Sequence, residues 1–248
     1  MPAPWVYLSP HFDDVALSCG GLVWEQTHRG EAVSVWTACA GEPPAGSLSR
    51  FAEDLHRRWG TGLQAAALRK QEDLASCAVL GASARHYSVP DCIYRRGGES
   101  YLPLYTSEGA LFGPLHPADA PLVERLAAEL ASELPENAEV ASPLALGGHV
   151  DHRLVRLAAE RLGKPLWYYA DVPYVFKQRD ELAALSQAGW WAQAFGVSSD
   201  GLAAWVEAIA AHASQISSFW PDLESVQAVL CAYSHENGGV RLWRTQRQ

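Results

Sequence analysis

Apolar and polar positions along the chain change period several times, and each change predicts an element. Trp5 to Ser9 is a short apolar run leading into Pro10-His11-Phe12-Asp13-Asp14, and from Val15 to His28 apolar residues recur at helical spacing. This is the pattern of a strand, a loop and a helix. A second β-like run, Ala32 to Cys39, follows at once, so the opening segment predicts a βαβ unit with a right-handed crossover and hence a parallel sheet. Further on, the spacing predicts a helix over Gln64–Leu80 with Gly81 as its C-cap, a strand over Arg85–Val89, a helix over Ala120–Leu134 and a strand over Glu139–Ser142. A helix headed by His149-Val150-Asp151-His152 runs to Leu162 and is ended by Gly163-Lys164-Pro165. Pro165–Ala170 reads as a strand, Arg179–Ala188 and Gly201–Ala213 as helical stretches, and Val240–Trp243 as an edge strand.

Two stretches lack this regularity. Gly41–Gly62 is rich in Gly, Pro and Ser around a short amphipathic piece, Phe51–Trp59, and reads as an excursion over the sheet. Pro90–Pro117 holds Asp91, Arg95, Arg96 and several tyrosines, which suits a substrate loop and equally a plain surface. The alternation as a whole predicts an α/β fold, a doubly wound and mostly parallel sheet with helices on both faces. No repeat or linker divides the chain, so residues 1–248 read as a single domain.

Composition narrows the partners. An apolar share of 48% with 19% charged residues is ordinary for a globular protein. The net charge of -9, with no cluster of Lys or Arg, disfavours nucleic acid and anionic membrane surfaces and leaves a small molecule as the expected partner. No apolar run approaches the roughly 18–20 residues of a membrane span, and MPAPWVYLSP is not a secretory leader, so the expectation is a cytoplasmic protein without membrane insertion. Assembly into a homo-oligomer is left open. Five cysteines, odd in number and never in a C-x-x-C arrangement, read as reduced thiols. Neither G-x-G-x-x-G nor G-x-x-x-x-G-K-[ST] is present, so nucleotide binding has no support.

Any metal site must then be built from histidines and carboxylates, a donor set that suits a catalytic ion. His11, Asp13 and Asp14 stand where the first strand gives way to its helix, at the carboxyl edge where doubly wound folds bind ligands. His149 and His152 sit three positions apart at a helix start, on one face, after Gly147-Gly148, and this spacing suits one ligand or two. If that helix follows a parallel strand, both clusters reach the same rim. One His, one carboxylate and a second His leave a fourth position for water, whose pKa a zinc ion lowers to about 7. Asp13, next to a ligand but not needed as one, is placed to take the water's proton.

These residues resemble a family. Pro10-His11-Phe12-Asp13-Asp14 and His149-Val150-Asp151-His152 are similar to the two motifs of the LmbE/PIG-L-type zinc N-acetylglucosamine deacetylases. The resemblance implies a Rossmann-like fold, hydrolysis of the acetamide of an N-acetylated sugar, and zinc held by His11, Asp14 and His152, with Asp13 as general base. It also implies that a protonated His149 stabilises the oxyanion and protonates the amine, and that Asp151 orients His149. Arg69-Lys70-Gln71-Glu72, followed by Ala75, Ala78, Leu80 and Gly81, resembles the family's R-x-x-E…A-x-x-LG segment, which makes Arg69 a residue for sugar hydroxyls. Asp91 is similar in placement to a sugar-binding acid, and Ser214-Gln215 resembles a further family feature. Three positions depart: Val15 replaces an acid, Phe12 replaces the common proline, and Gly147 stands where a tyrosine is usual.

Plainer readings stand beside these. Asp13 or Asp14 alone would serve as an N-cap, and Arg69 would pair with Asp73 one helical turn on. His28, His56, His86, His116, His212 and His235 have no partner at ligand spacing. Most of the ten tryptophans read as core, and some, such as Trp190, Trp191 or Trp220, would stack on a sugar or form a subunit contact. A non-haem iron oxygenase shares the two-histidine, one-carboxylate set, against which the βαβ alternation counts, and the same donors accept ferrous iron or another divalent ion. A metal-containing carbohydrate-binding protein without turnover would need neither Asp13 nor His149.

Overall fold

The computed structural model describes residues 2–43, 46–59, 64–97 and 101–245. Strand β1 (Trp5–Ser9) is buried along its whole length, as its unbroken apolar run requires of a strand covered on both faces. Helix α1 (Asp14–His28) carries the chain over to β2 (Val33–Thr37), which lies parallel to β1 with Trp5 opposite Val33 and Ser9 opposite Thr37. On the other side of β1 lies β6 (Glu139–Pro143), also parallel, with Trp5 opposite Glu139. Parallel neighbours β3 (Ser83–His86) and β7 (Leu166–Tyr169) flank β2 and β6, giving the order β3-β2-β1-β6-β7.

Beyond β7 the sheet turns antiparallel through β9 (Val240–Thr245) and then β8 (Trp190–Phe195) at the edge. A separate ribbon pairs β4 (Arg96–Gly97) with β5 (Leu102–Pro103). Helices cover both faces: α1, α3 (Ala65–Leu80) and α8 (Ser199–Ala210) pack together, and α5 (Ala120–Glu133) packs on α6 (Val150–Glu160). Among the described residues no helix is long and apolar enough to cross a membrane. All five cysteines are free thiols, four buried and Cys231 exposed.

Several elements differ from the sequence pattern. Strand β3 begins two residues early, because Gly81 at φ +68° closes α3 and the chain turns at once into the sheet. The predicted helix after Gly201 is split: α8 ends at Ala210, and a short α9 (Ala213–Phe219) starts beyond His212. Helix α10 (Leu223–Asn237) was not anticipated, although its ends are marked by Asp222, which accepts the Ser225 N–H at 2.8 Å, and by Gly238 at φ +68°. The excursions supply α2 (Arg50–Trp59) and α4 (Glu108–Leu111), and α7 (Arg179–Gln187) precedes β8.

Strand order reverses at β1, whose neighbours β2 and β6 belong to the two windings. In doubly wound sheets the crevice beyond the carboxyl ends of the strands at such a reversal is the ligand site. The segments after β1 and β6 carry His11, Asp13, Asp14 and His149 into that crevice, with His152 directly against His11 and His149.

Candidate active site

Ser9, the last residue of β1, ties the following turn to the sheet: its hydroxyl donates to the His11 carbonyl at 2.5 Å and accepts the Val15 N–H at 3.2 Å. Asp13 is the N-cap residue of α1 and Asp14 its first helical residue, so both carboxylates sit in the favourable field of a helix N-terminus. The Asp14 carboxylate accepts the His11 N–H at 2.7 Å, and its Oδ2 lies 3.2 Å from His11 Nδ1.

After β6 the chain turns through left-handed conformations at Ala145, Gly147 and Gly148. At Gly147 (φ +77°) a Cβ would also lie 2.9 Å from the Tyr174 ring, so both backbone and space call for glycine. The turn places His149 as the N-cap of α6, with Nδ1 accepting the Asp151 N–H at 3.3 Å, and His152 within the first turn. The imidazoles of His11, His149 and His152 then form a triangle with ring centres 5.0, 5.5 and 5.3 Å apart. His152 Nε2 lies 3.4 Å from Asp14 Oδ1, while Nδ1 bonds Asp171 Oδ1 at 2.6 Å. Asp171, two residues beyond β7, is itself held by the Leu146 N–H at 2.9 Å.

This donor set fits a divalent cation. His152 Nε2 is buried and has no hydrogen-bond partner, a costly arrangement that a coordinated ion would satisfy. Asp14 lies between that atom and His11 Nδ1, so two imidazole nitrogens and the two oxygens of one carboxylate converge. Burial by itself raises the Asp14 carboxyl, but the imidazoles of His152 and His11 outweigh it and hold the group well below the ordinary carboxylate range. Burial disfavours a charged His11, and its hydrogen bonds to Asp14 and Asp151 more than reverse this. His149 goes the other way: burial and the neighbouring His11 hold it well below the ordinary histidine value. With His149 Nδ1 accepting from the Asp151 N–H, Nε2 is the ring nitrogen left to donate.

Asp13 receives Arg69 Nη2 at 3.1 Å. The guanidinium lies between the rings of Phe12 and Trp59, 5.6 and 5.5 Å from their centres, and 3.9 Å from Asp91. Arg69 thus pairs across the fold with Asp13, whereas Asp73 bonds His86 at 2.6 Å. One turn along α3, Glu72 accepts both the N–H (2.8 Å) and the hydroxyl (2.6 Å) of Ser214, so the R-x-x-E segment and the Ser214-Gln215 pair meet. Asp91 caps the turn at Cys92–Tyr94 and stands 3.8 Å from His11 Nε2. The Asp151 carboxylate receives His11 Nε2 at 2.9 Å, the Cys92 N–H at 3.0 Å and the Arg95 guanidinium, and its backbone N–H donates to His149 Nδ1.

A cavity of about 550 Å³ opens over these residues, within the range of small-molecule sites. His11, Asp13, Asp14, Arg69, Asp91 and His149 line it. Its walls include Trp59, Phe112, Tyr174 and Phe219, and Arg58 and Glu108 pair at 3.1 Å on its lining. The stretch after Pro90 is therefore a wall of the site. Trp190, Trp191 and Trp220 do not line this cavity; the tryptophan in it is Trp59. Sequence reasoning missed Asp171, Tyr174 and the aromatic walls. Only Asp171 carried a signal, as an acid just past the carboxyl end of a parallel strand.

Over residues 6–162 the chain matches the family described as PIG-L, GlcNAc-PI de-N-acetylase. It belongs to that family. The match covers both histidine-bearing loops and α3 of this PIG-L protein, and so every candidate ligand. Over 204 residues it is 33% identical to 2'-N-acetylparomamine deacetylase of Niallia circulans, covering 75% of this chain and 71% of that protein. The structure of the A40926 pseudoaglycone deacetylase Dbv21 is 27% identical, with a TM-score of 0.72 over 98% of this chain and 97% of that one. The zinc-inhibited form of teicoplanin deacetylase Orf2, 24% identical, superposes with a TM-score of 0.82 over 99% of this chain and 100% of its own, a likeness of fold.

Proposed function

We propose that this PIG-L protein hydrolyses the acetamide of an N-acetylated amino sugar carried on a larger molecule, giving acetate and the free amine, with zinc as the metal. One observation carries the reading: two loops from opposite sides of the strand reversal bring two imidazoles, one with a partnerless Nε2 on His152, and a carboxylate together beside His149 and the Arg69-held Asp13. His11, Asp14 and His152 would hold the ion. When bound, it supplies positive charge that makes water more acidic and polarises the amide carbonyl.

The chain's own groups do the rest. Asp13 takes a proton from the attacking water and returns it to the nitrogen as the C–N bond breaks. His149 donates its Nε2–H to the carbonyl oxygen as that oxygen gains charge, where a fixed donor in a dry site contributes most. Arg69 orients Asp13 and, with Asp91, faces the sugar hydroxyls, while Trp59 offers the ring a stacking surface. The relatives named above are deacetylases of 2'-N-acetylparomamine, of the A40926 pseudoaglycone and of teicoplanin, and a cavity of about 550 Å³ accommodates more than one ring.

The test is acetate release from a panel of N-acetylglucosamine glycosides and N-acetylated aminoglycosides, with metal content measured alongside. Asp13→Asn, which keeps an acceptor for Arg69, is expected to retain the metal and lose about 10²–10⁴-fold in turnover. No acetate from any member of the panel, with the metal site filled, would overturn the reading.

A further inference from the structure

Arg95 lies in the stretch that sequence left between substrate loop and surface, and it is only 4% exposed. Its guanidinium is enclosed by two acids and a ring, with Nη2 as its one hydrogen-bonded nitrogen and Nε and Nη1 buried without a hydrogen bond. Nη2 bonds Asp151 Oδ1, Nη1 lies 3.4 Å from Asp119 Oδ2, and the plane sits 5.2 Å over the Tyr105 ring. The two outer partners are themselves joined, Tyr105 donating to Asp119 at 2.7 Å and accepting the His116 N–H at 2.8 Å. On the inner side, Asp151 is fully buried, and its second oxygen accepts the Cys92 N–H at 3.0 Å and His11 Nε2 at 2.9 Å.

We propose that Arg95 is a positioning residue for metal binding: by holding the buried Asp151 carboxylate in one orientation it fixes the proton of His11 on Nε2 and frees Nδ1 for the cation. The inference rests on the metal-site reading above and adds a residue to it. A histidine ligand is held in tautomer and direction by the acceptor on its other nitrogen, and that acceptor is only as well placed as its own partners. Here the partner is a planar fork that can bridge Asp151 and Asp119 together, which a lysine ammonium cannot reproduce. The chain Tyr105/Asp119–Arg95–Asp151–His11 also links the wall after Pro90 to the metal ligand, so an order in that wall is transmitted to Nδ1.

The experiment measures zinc affinity by competition with a chromophoric chelator, together with the ¹⁵N-edited imidazole spectrum of the zinc-loaded protein. Arg95→Lys keeps the buried charge. It is expected to fold, to bind zinc about 10–100-fold more weakly, and to lose a slowly exchanging His11 Nε2–H resonance that wild type shows. Asp119→Asn leaves the Asp151 contact in place and is expected to lose less than fivefold, which gives a second reading if Arg95→Lys does not fold. Wild-type zinc affinity and an unchanged His11 resonance in folded Arg95→Lys would overturn the proposal, as would a loss in Asp119→Asn equal to or larger than that in Arg95→Lys. Because the readout is metal binding, a wild type that binds zinc but releases no acetate would sink the deacetylase reading alone, and a wild type that binds no zinc would sink both.

Discussion

A buried imidazole needs a partner for each ring nitrogen, and His152 has one for Nδ1, the Asp171 carboxylate at 2.6 Å, but none for Nε2. Asp171 accepts a hydrogen bond from Nδ1–H, so the nitrogen that offers a lone pair to an ion is Nε2, the atom that faces Asp14. This makes Asp171 the counterpart, on His152, of Asp151 on His11. Replacing it by asparagine removes the charge and offers an amide that can present either oxygen or nitrogen to Nδ1. Asp171→Asn is expected to weaken zinc binding about 10–100-fold while the fold persists, with the loss read by chelator competition. Unchanged affinity would remove Asp171 from the site. No motif names this residue. It was within reach of sequence only through the rule that acids past parallel strands face the ligand crevice, whereas the part played by Arg95 depends on Asp119 and Asp151 meeting it from distant segments.

Among the elements, those whose pattern is set by burial on two faces were legible. β1 and β7 are buried, largely apolar runs and β6 is almost wholly buried, and the loops after β1 and β6 could be assigned to one rim because parallel strands share their carboxyl ends. β8 was not legible, since Trp190–Phe195 is exposed along much of its length at the sheet edge, and its tryptophans read as binding residues. α10 buries only Val226, Leu230 and Tyr233 and so shows a weak stripe. The packing of α1 on α8 has its own signature, two glycines in the middle of a helix. Trp205 of α8 is fully buried and donates Nε1–H to the Ala16 carbonyl at 2.7 Å, and its ring lies where a Cβ on Gly20 would come within 2.6 Å of Cδ1. Glycine to alanine inside a helix ordinarily gains about 0.5–1 kcal/mol. Here the methyl group must displace a rigid indole, and overpacking costs about 1–3 kcal/mol. Gly20→Ala is therefore expected to destabilise by about 1–2 kcal/mol in denaturant unfolding. A stabilised variant would show that the contact relaxes freely.

At the scale of the whole molecule, the candidate ligands tie together the two windings of the sheet. His11 and Asp14 follow β1, His152 follows β6, and Asp171, which holds His152, follows β7, so a bound ion would clamp three neighbouring strands at their carboxyl edge. Cations that bind only the folded state stabilise it by mass action, about 2.7 kcal/mol at a free concentration 100 times Kd. For a chain of this size each kcal/mol moves Tm by about 2–4 °C, so zinc at that excess is expected to raise Tm by roughly 5–10 °C over the chelated protein. Chelation should abolish acetate release together with this increment, and readdition should restore both. The Asp14→Asn variant separates the site from zinc adsorbed elsewhere, since loss of the carboxylate between His11 and His152 should cancel the Tm increment even where surface histidines still take up metal. A wild type that gains stoichiometric zinc with no rise in Tm would mean that the ion binds folded and unfolded chains alike, and that the two windings do not meet at a metal.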